Sequence, residues 1–326
     1  MPRLEISDLI TVTDPHSLAR LPVRRADVVR RLADSGDRLG ARIVAELPAG
    51  PDDVLDPLAV DRLMIGVHTG TQQLGEELRL DEGLARILGP VFETVRELTG
   101  RRGRFRLVDI GCGLGHLVRR LAATGALGPG VELIGVDLDA ALVAEADRLA
   151  RSEGLDCRFV HGNAFDLPEV ATVYVSTGML RRFRGPDLAE FFRAQADSPA
   201  LAFCHFDIAA TRLAPVGAWI QHRTRTRDPL ARHDGFAAAL RAHSDETLLR
   251  AASIPGIRPL VYGPPRPARP FRTAMRPVIG IRPELEAPLR EALGRSSGRL
   301  MGAERLGAGG PWPSRDGAQS GAGAGQ

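Results

Sequence analysis

The run Leu107-Val108-Asp109-Ile110-Gly111-Cys112-Gly113-Leu114-Gly115-His116 joins an apolar stretch to an acid and then to three alternating glycines. Glycine lets a backbone approach a ligand closely and turn sharply into a following helix. A dinucleotide loop of the G-x-G-x-x-G kind sets a helix N-terminus against a pyrophosphate. Here the third glycine comes one residue early. Asp109 beside the loop would repel a pyrophosphate but attract an amino group or a cationic centre. A second acid, Asp137, ends Leu133-Ile134-Gly135-Val136-Asp137. A carboxylate there can accept from both hydroxyls of a ribose, each charge-assisted bond contributing about 1.5–3 kcal/mol. A third run ends in His161-Gly162-Asn163-Ala164-Phe165-Asp166, where a side-chain amide and a backbone N–H can read an adenine edge. In an open α/β sheet, ligands bind at that carboxyl edge.

Residues at successive strand ends need a sheet to carry them. Strand-like runs cover Phe105–Ile110, Val131–Val136, Arg158–Val160, Ala171–Val175 and Leu201–Phe206, with Ile257–Tyr262 and Ala274–Ile281 as two last candidates. Helical patterns alternate with them through Leu117, Val118 and Leu121, through Leu142, Val143, Ala146 and Leu149, and around Leu188–Ala194. Strand, helix, strand, helix at this spacing predicts a parallel sheet covered on both faces. Residues 1–100 read as mainly helical: Leu84, Ile87, Leu88, Val91, Phe92, Val95 and Leu98 recur at i, i+3, i+4, i+7 and stop at Gly100. The glycine-punctuated stretch Leu63–Gly70 has no firm assignment. Gly263–Pro270 reads as a proline-rich loop, and from about residue 295 the Gly, Ala, Ser and Arg composition predicts a disordered tail.

Taken together, these motifs resemble the class I S-adenosylmethionine-dependent methyltransferases of the small-molecule type. The family's first motif matches Asp109 through Gly115, its ribose acid matches Asp137, and its adenine-contact motif matches Asn163-Ala164. The resemblance covers residues 104–210 in detail. It implies an α/β fold, a Rossmann-like seven-stranded, mostly parallel sheet with the last strand antiparallel, and an N-terminal helical cap over residues 1–100. The methyltransferase domain would then be residues 101–294, with a tail at 295–326. It further implies that Asp109, Gly111, Cys112, Gly113 and Gly115 hold the methionine end of the cofactor, Asp137 and Leu138 the ribose, and Asn163, Ala164 and Phe165 the adenine, with Ser176 also at the cofactor. Two positions depart from the pattern. Asn163 stands where the family more often has Asp, and Arg181-Arg182 stand where many members carry paired histidines. Arginine stays protonated and cannot serve as a base.

A base is needed only for an acceptor protonated at neutral pH, since an activated methyl group mainly needs alignment. His205, within Phe203-Cys204-His205-Phe206-Asp207, is the candidate, with a packed core histidine as the alternative. The arginines of Trp219–Arg227, notably Arg223 and Arg225, together with Arg182, are candidates to hold an anionic acceptor; a solvated surface loop is the alternative.

All 43 basic residues are arginine against 40 acids, for a net charge of +3. Without lysine there is no Walker-type phosphate loop, kinase lysine or Schiff base. No N/D-P-P-Y/F tetrapeptide and no Pro-Cys nucleophile is present, so the expected acceptor is a small molecule rather than a nucleic acid. O- or N-methylation is the expected reaction. The competing readings are a non-catalytic S-adenosylmethionine-binding module or regulator, and an NAD(P)-dependent oxidoreductase. Cys112, Cys157 and Cys204 show no metal spacing, and no metal is expected. No apolar window nears the roughly 18 residues of a membrane span. The first residues carry acids and no apolar core, so a cytoplasmic protein is expected.

Overall fold

Short apolar runs, alternating with amphipathic stretches, assemble into a single sheet clothed by helices. The computed structural model describes residues 4–77, 80–100, 104–263, 275–302 and 304. Five helices come first: α1 (Ile6–Ile10), α2 (Arg25–Asp34), α3 (Arg38–Ala45), α4 (Pro57–Glu77) and α5 (Leu80–Thr99). The alternating part follows as β1 (Phe105–Ile110), α6 (His116–Thr124), β2 (Val131–Asp137), α7 (Ala140–Ser152), β3 (Arg158–His161), β4 (Val173–Thr177), α8 (Pro186–Ala196) and β5 (Ala202–Ile208). The chain continues through α9 (Ala214–Arg225), α10 (Pro229–Leu240), α11 (Asp245–Ala251), β6 (Arg258–Tyr262), β7 (Met275–Ile281), α12 (Glu286–Leu293) and β8 (Leu300–Gly302).

The strands lie in the order β3-β2-β1-β4-β5-β7-β6-β8. β1 to β5 are mutually parallel, and β7 runs antiparallel between β5 and β6. The expected seven strands are thus present, but the sheet has an eighth. β8 pairs antiparallel with β6 through Tyr262↔Leu300, so the expected tail does not begin at 295. Only three residues pair, and Leu300 alone is a fully buried apolar side chain, which leaves too little pattern to read from sequence. Residues 264–274 and 305–326, which include most of the expected proline loop and most of the tail, lie outside the described residues.

Alternation along each strand sends side chains to two cores. Leu107, Leu133, Val173, Val175, Cys204 and Phe206 meet α5, α6 and α12 on one face. Val108, Ile110, Ile134, Val136, Tyr174 and Phe203 meet α8 and α11 on the other. The helix predicted through Leu84–Leu98 is therefore α5, yet it is a sheet helix rather than part of a cap. Its Leu88, Phe92 and Val95 share one cluster with β1, β4 and β5. α1 to α4 pack apart from that cluster, their Ile6, Ile10, Leu32, Val44 and Val60 forming a third cluster against Leu114, Leu142 and Leu230. The unassigned Leu63–Gly70 stretch lies inside α4.

Gly115 sits at the turn into α6 with φ +68°, and a Cβ there would fall 2.1 Å from the Phe159 ring on β3. Left-handed backbone costs an L-residue about 1–2 kcal/mol and overpacking about 1–3 kcal/mol. Gly115→Ala is accordingly expected to lower stability by about 3 kcal/mol in a urea titration.

Candidate functional site

A cavity of 690 Å³ opens along the carboxyl edge of the sheet. Its floor runs from the end of β3 to the start of β7, five inter-strand spacings or about 24 Å. α1, α4, α9 and α10 form its walls.

At the β1–β3 half, the glycine turn is held by the strand beside it. The Gly113 N–H donates to Asp137 Oδ2 at 2.7 Å, and the Asp139 N–H donates to Asp137 Oδ1 at 2.9 Å. Each carboxylate oxygen keeps a lone pair for a further donor. A Cβ on Gly113, at φ +55°, would lie 2.5 Å from His68 Nδ1 on α4, so the bare backbone is what leaves room there. Asp109 is 2% exposed, and its Oδ1 has no hydrogen-bond partner although it lines the cavity. Burial, reinforced by the nearby Asp137 charge, pushes its carboxyl well above the ordinary value. Such an orphaned oxygen suits an incoming ammonium group. Asn163 Oδ1 accepts from the Phe165 N–H at 3.0 Å, while its amide donates to the Pro15 carbonyl at 3.0 Å.

Most of the residues read from sequence therefore meet in one place. Asp109, Gly111, Cys112, Gly113, Asp137, Leu138, Asn163, Ala164 and Phe165 all line the cavity. Gly115 does not; its smallness serves the Phe159 contact. Cys112 is a neutral thiol, since burial and the Asp137 and Asp109 charges push it up.

Three expectations fail at the other half. His205 is 0% exposed and lies off the cavity, packed against Phe191, Phe192 and Phe203. Burial pushes it down to about 3, so it is neutral and inaccessible. β5 continues three residues beyond it to Ile208; position 205 shares the α8 face with 203 and 207, and only Asp207, two residues nearer the carboxyl edge, reaches the cavity. Ser176 is likewise fully buried, its hydroxyl 2.8 Å from His205 Nδ1. Arg223 and Arg225 do not line the cavity: Arg223 lies 5.6 Å from the Trp219 ring centre, and Arg225 pairs with Glu77 at 2.5 Å. Arg182 does line it, but its guanidinium pairs with Asp8.

Sequence reading missed the walls. Arg181 donates its backbone N–H to Asp207 Oδ2 at 2.9 Å, and its side chain lies 3.4 Å from Glu5 and 3.6 Å from Asp207. Arg241 reaches Asp8 at 2.9 Å and Glu5 at 3.3 Å. Glu5, Asp8 and Asp207 thus balance Arg181, Arg182 and Arg241. Three imidazoles also line the cavity, His68 on α4, His116 at the start of α6 and His222 on α9. Burial and the Arg182 charge push His68 down to about 4. Burial and the Arg181 charge also lower His222. No spacing in the sequence marks either histidine, because each stands alone on its helix.

The α1 wall is latched from below. The Ile6 and Ser7 N–H groups donate to the Asp234 carboxylate at 2.8 and 2.9 Å. His233 bridges Asp234 at 2.8 Å and Asp37 at 2.6 Å. Burial opposes the charge on His233, but the hydrogen bonds to Asp234 and Asp37 outweigh it and raise the group above its ordinary 6.5. A raised folded-state value contributes stability that is full below pH 6.5 and is lost as pH rises through that folded value. Urea midpoints should therefore fall for the wild type, and not for His233→Gln, between about pH 6 and pH 9.

A family profile described as a methyltransferase domain matches residues 107–198, the segment carrying the glycine loop, Asp137 and Asn163. No protein of curated function matches the chain in sequence. Similar solved structures include the plantazolicin methyltransferase BpumL in complex with SAH, at 11% identity and TM-score 0.48, covering 79% of this chain and 98% of that one. Magnesium protoporphyrin IX methyltransferase (ChlM) from Synechocystis PCC 6803, solved with bound SAH, is another, at 15% identity and TM-score 0.39, covering 79% and 99%. No helix among the described residues is long and apolar enough to cross a membrane, and no group of His, Cys, Asp and Glu among them could hold a metal. The profile match falls on the acid–glycine loop and the strand ends that line the cavity, so residues 107–198 carry a methyltransferase domain.

Proposed function

We propose that the chain methylates an uncharged small molecule at oxygen or nitrogen, with the cofactor in the β1–β3 half of the cavity and the acceptor in the β4–β7 half. The observation that carries this reading is the length of the cavity floor, about 24 Å, of which the three cofactor motifs occupy only one end. Asp109 Oδ1 would take the amino group, Asp137 the ribose hydroxyls, and Asn163 with the Phe165 backbone and ring the adenine. Leu138 and Ala164 would pack beside them. The bound cofactor supplies an activated methyl group on a sulfonium centre. The protein's own part is alignment and exclusion of water by the α1 and α4 walls, with donor and acceptor atoms about 3–3.5 Å apart.

An anionic acceptor lacks support from the charge pattern, because Arg181 and Arg182 are already matched by Glu5, Asp8 and Asp207. Transfer of a labelled methyl group from S-adenosylmethionine to a small compound in a metabolite extract tests the reading. Binding of cofactor with no labelled product would favour the non-catalytic module instead.

A further inference from the structure

His222 stands out among the cavity groups. It projects from α9 across the Gly235 backbone of α10, and a Cβ at Gly235 would lie 2.2 Å from its Nε2. That glycine is therefore what leaves room for the ring against the helix. The ring is half-buried and lines the cavity. None of its nitrogens makes a hydrogen bond to the described residues, in contrast to His205, His233 and His243, which are all engaged. Its neighbours place it at the acceptor end. Arg181, whose charge reaches it, is anchored on Asp207 at the end of β5. His68, a second cavity imidazole, lies instead against Gly113 of the cofactor loop, and His116 starts the helix that follows that loop. The charged groups lining the cavity on that side are Arg181 and Arg182 after β4, Asp207 on β5, Asp234 on α10, and Glu5 and Asp8 at the start of the chain, with Arg182 paired to Asp8. Burial, with the Arg181 charge beside it, lowers the ring below its ordinary value, which favours the unprotonated imidazole.

Building on the proposed division of the cavity, we infer that His222 receives the proton of a neutral, protic acceptor, a hydroxyl or an amine. The acceptor's lone pair forms the new bond to the methyl carbon as the carbon–sulfur bond breaks and its electron pair returns to sulfur. The acceptor's X–H bond breaks to the imidazole nitrogen, and the charge lost at the sulfonium appears as imidazolium. Every atom and charge in this step comes from the acceptor, the cofactor and His222.

The test uses the full chain and three single-ring probes that differ in charge, phenol, benzoate and benzylammonium. Calorimetry with SAH comes first, on wild type, His222→Gln and His222→Asn. Failure of the wild type to bind SAH would sink the division of the cavity itself. Unaltered SAH affinity in both variants is expected, since His222 faces the other half; a loss would move His222 to the cofactor and overturn the inference. On SAH-saturated wild type, phenol should shift the His222 imidazole resonance and bind about fivefold tighter than either charged probe. His222→Gln should erase about fivefold of that affinity. Equal phenol binding in the variant, no shift at His222, or benzoate or benzylammonium binding as tightly as phenol would each overturn the inference. The wild-type resonance shift decides the matter even if a variant fails to fold.

Discussion

Replacement of Asp137 by alanine is expected to weaken SAH binding about a hundredfold, because two charge-assisted bonds of about 1.5 kcal/mol or more each are lost together. The geometry adds to the effect. The same carboxylate accepts from the Gly113 and Asp139 N–H groups, so the alanine variant also frees the glycine turn. Asp137→Asn separates the two contributions. Its amide keeps one acceptor oxygen and gains a donor that cannot serve an N–H, so an intermediate loss is expected. Calorimetric titration of both variants with SAH checks this, and an alanine variant of unchanged affinity would remove the ribose assignment.

Asp109→Asn is expected to cost about tenfold in SAH affinity, and to remove a pH dependence that the wild type shows. In the free protein, burial and Asp137 hold the Asp109 carboxyl well above its ordinary value. An ammonium group beside Oδ1 favours the ionised form, so binding releases a proton. Affinity should therefore rise with pH through the free-protein value of Asp109 and fall below it. Titrations in two buffers of different ionisation heat, between about pH 5 and pH 8, measure that proton directly. Equal heats after correction in the two buffers would mean that Asp109 does not change state.

The cofactor half was legible in sequence because its chemistry sits where strands stop. Asp109, Asp137 and Asn163 each follow an apolar run, and parallel pairing brings those ends to one edge. β1, β2, β4 and β5 carry near-continuous apolar residues, as strands buried on both faces do. The acceptor half was not legible for the opposite reason. Its walls come from α1, α4, α9 and α10, where a single Glu5, His68 or His222 among helical residues carries no local signature. α4 was obscure because Gly66, Gly70 and Gly75 interrupt its pattern and only Val60 and Met64 are fully buried. His205 misled because its strand ends at Ile208, two residues later than the apolar run suggests. The arginines of α9 misled because a cationic cluster says nothing about partners; Glu77 sits far away in sequence.

Absence of lysine first excluded whole chemistries, and the cavity uses arginine in a consistent way. Arg181, Arg182 and Arg241 tie α1 to the turn after β4 rather than offering free charge to a ligand.

A crystal structure of the chain grown with SAH bears most directly on the division of the cavity. The ribose is expected within hydrogen-bond distance of Asp137, the amino group at Asp109 Oδ1, and the sulfur facing the space bounded by Asp207 and His222. Density for SAH at any other place, or a sulfur turned away from that space, would contradict it.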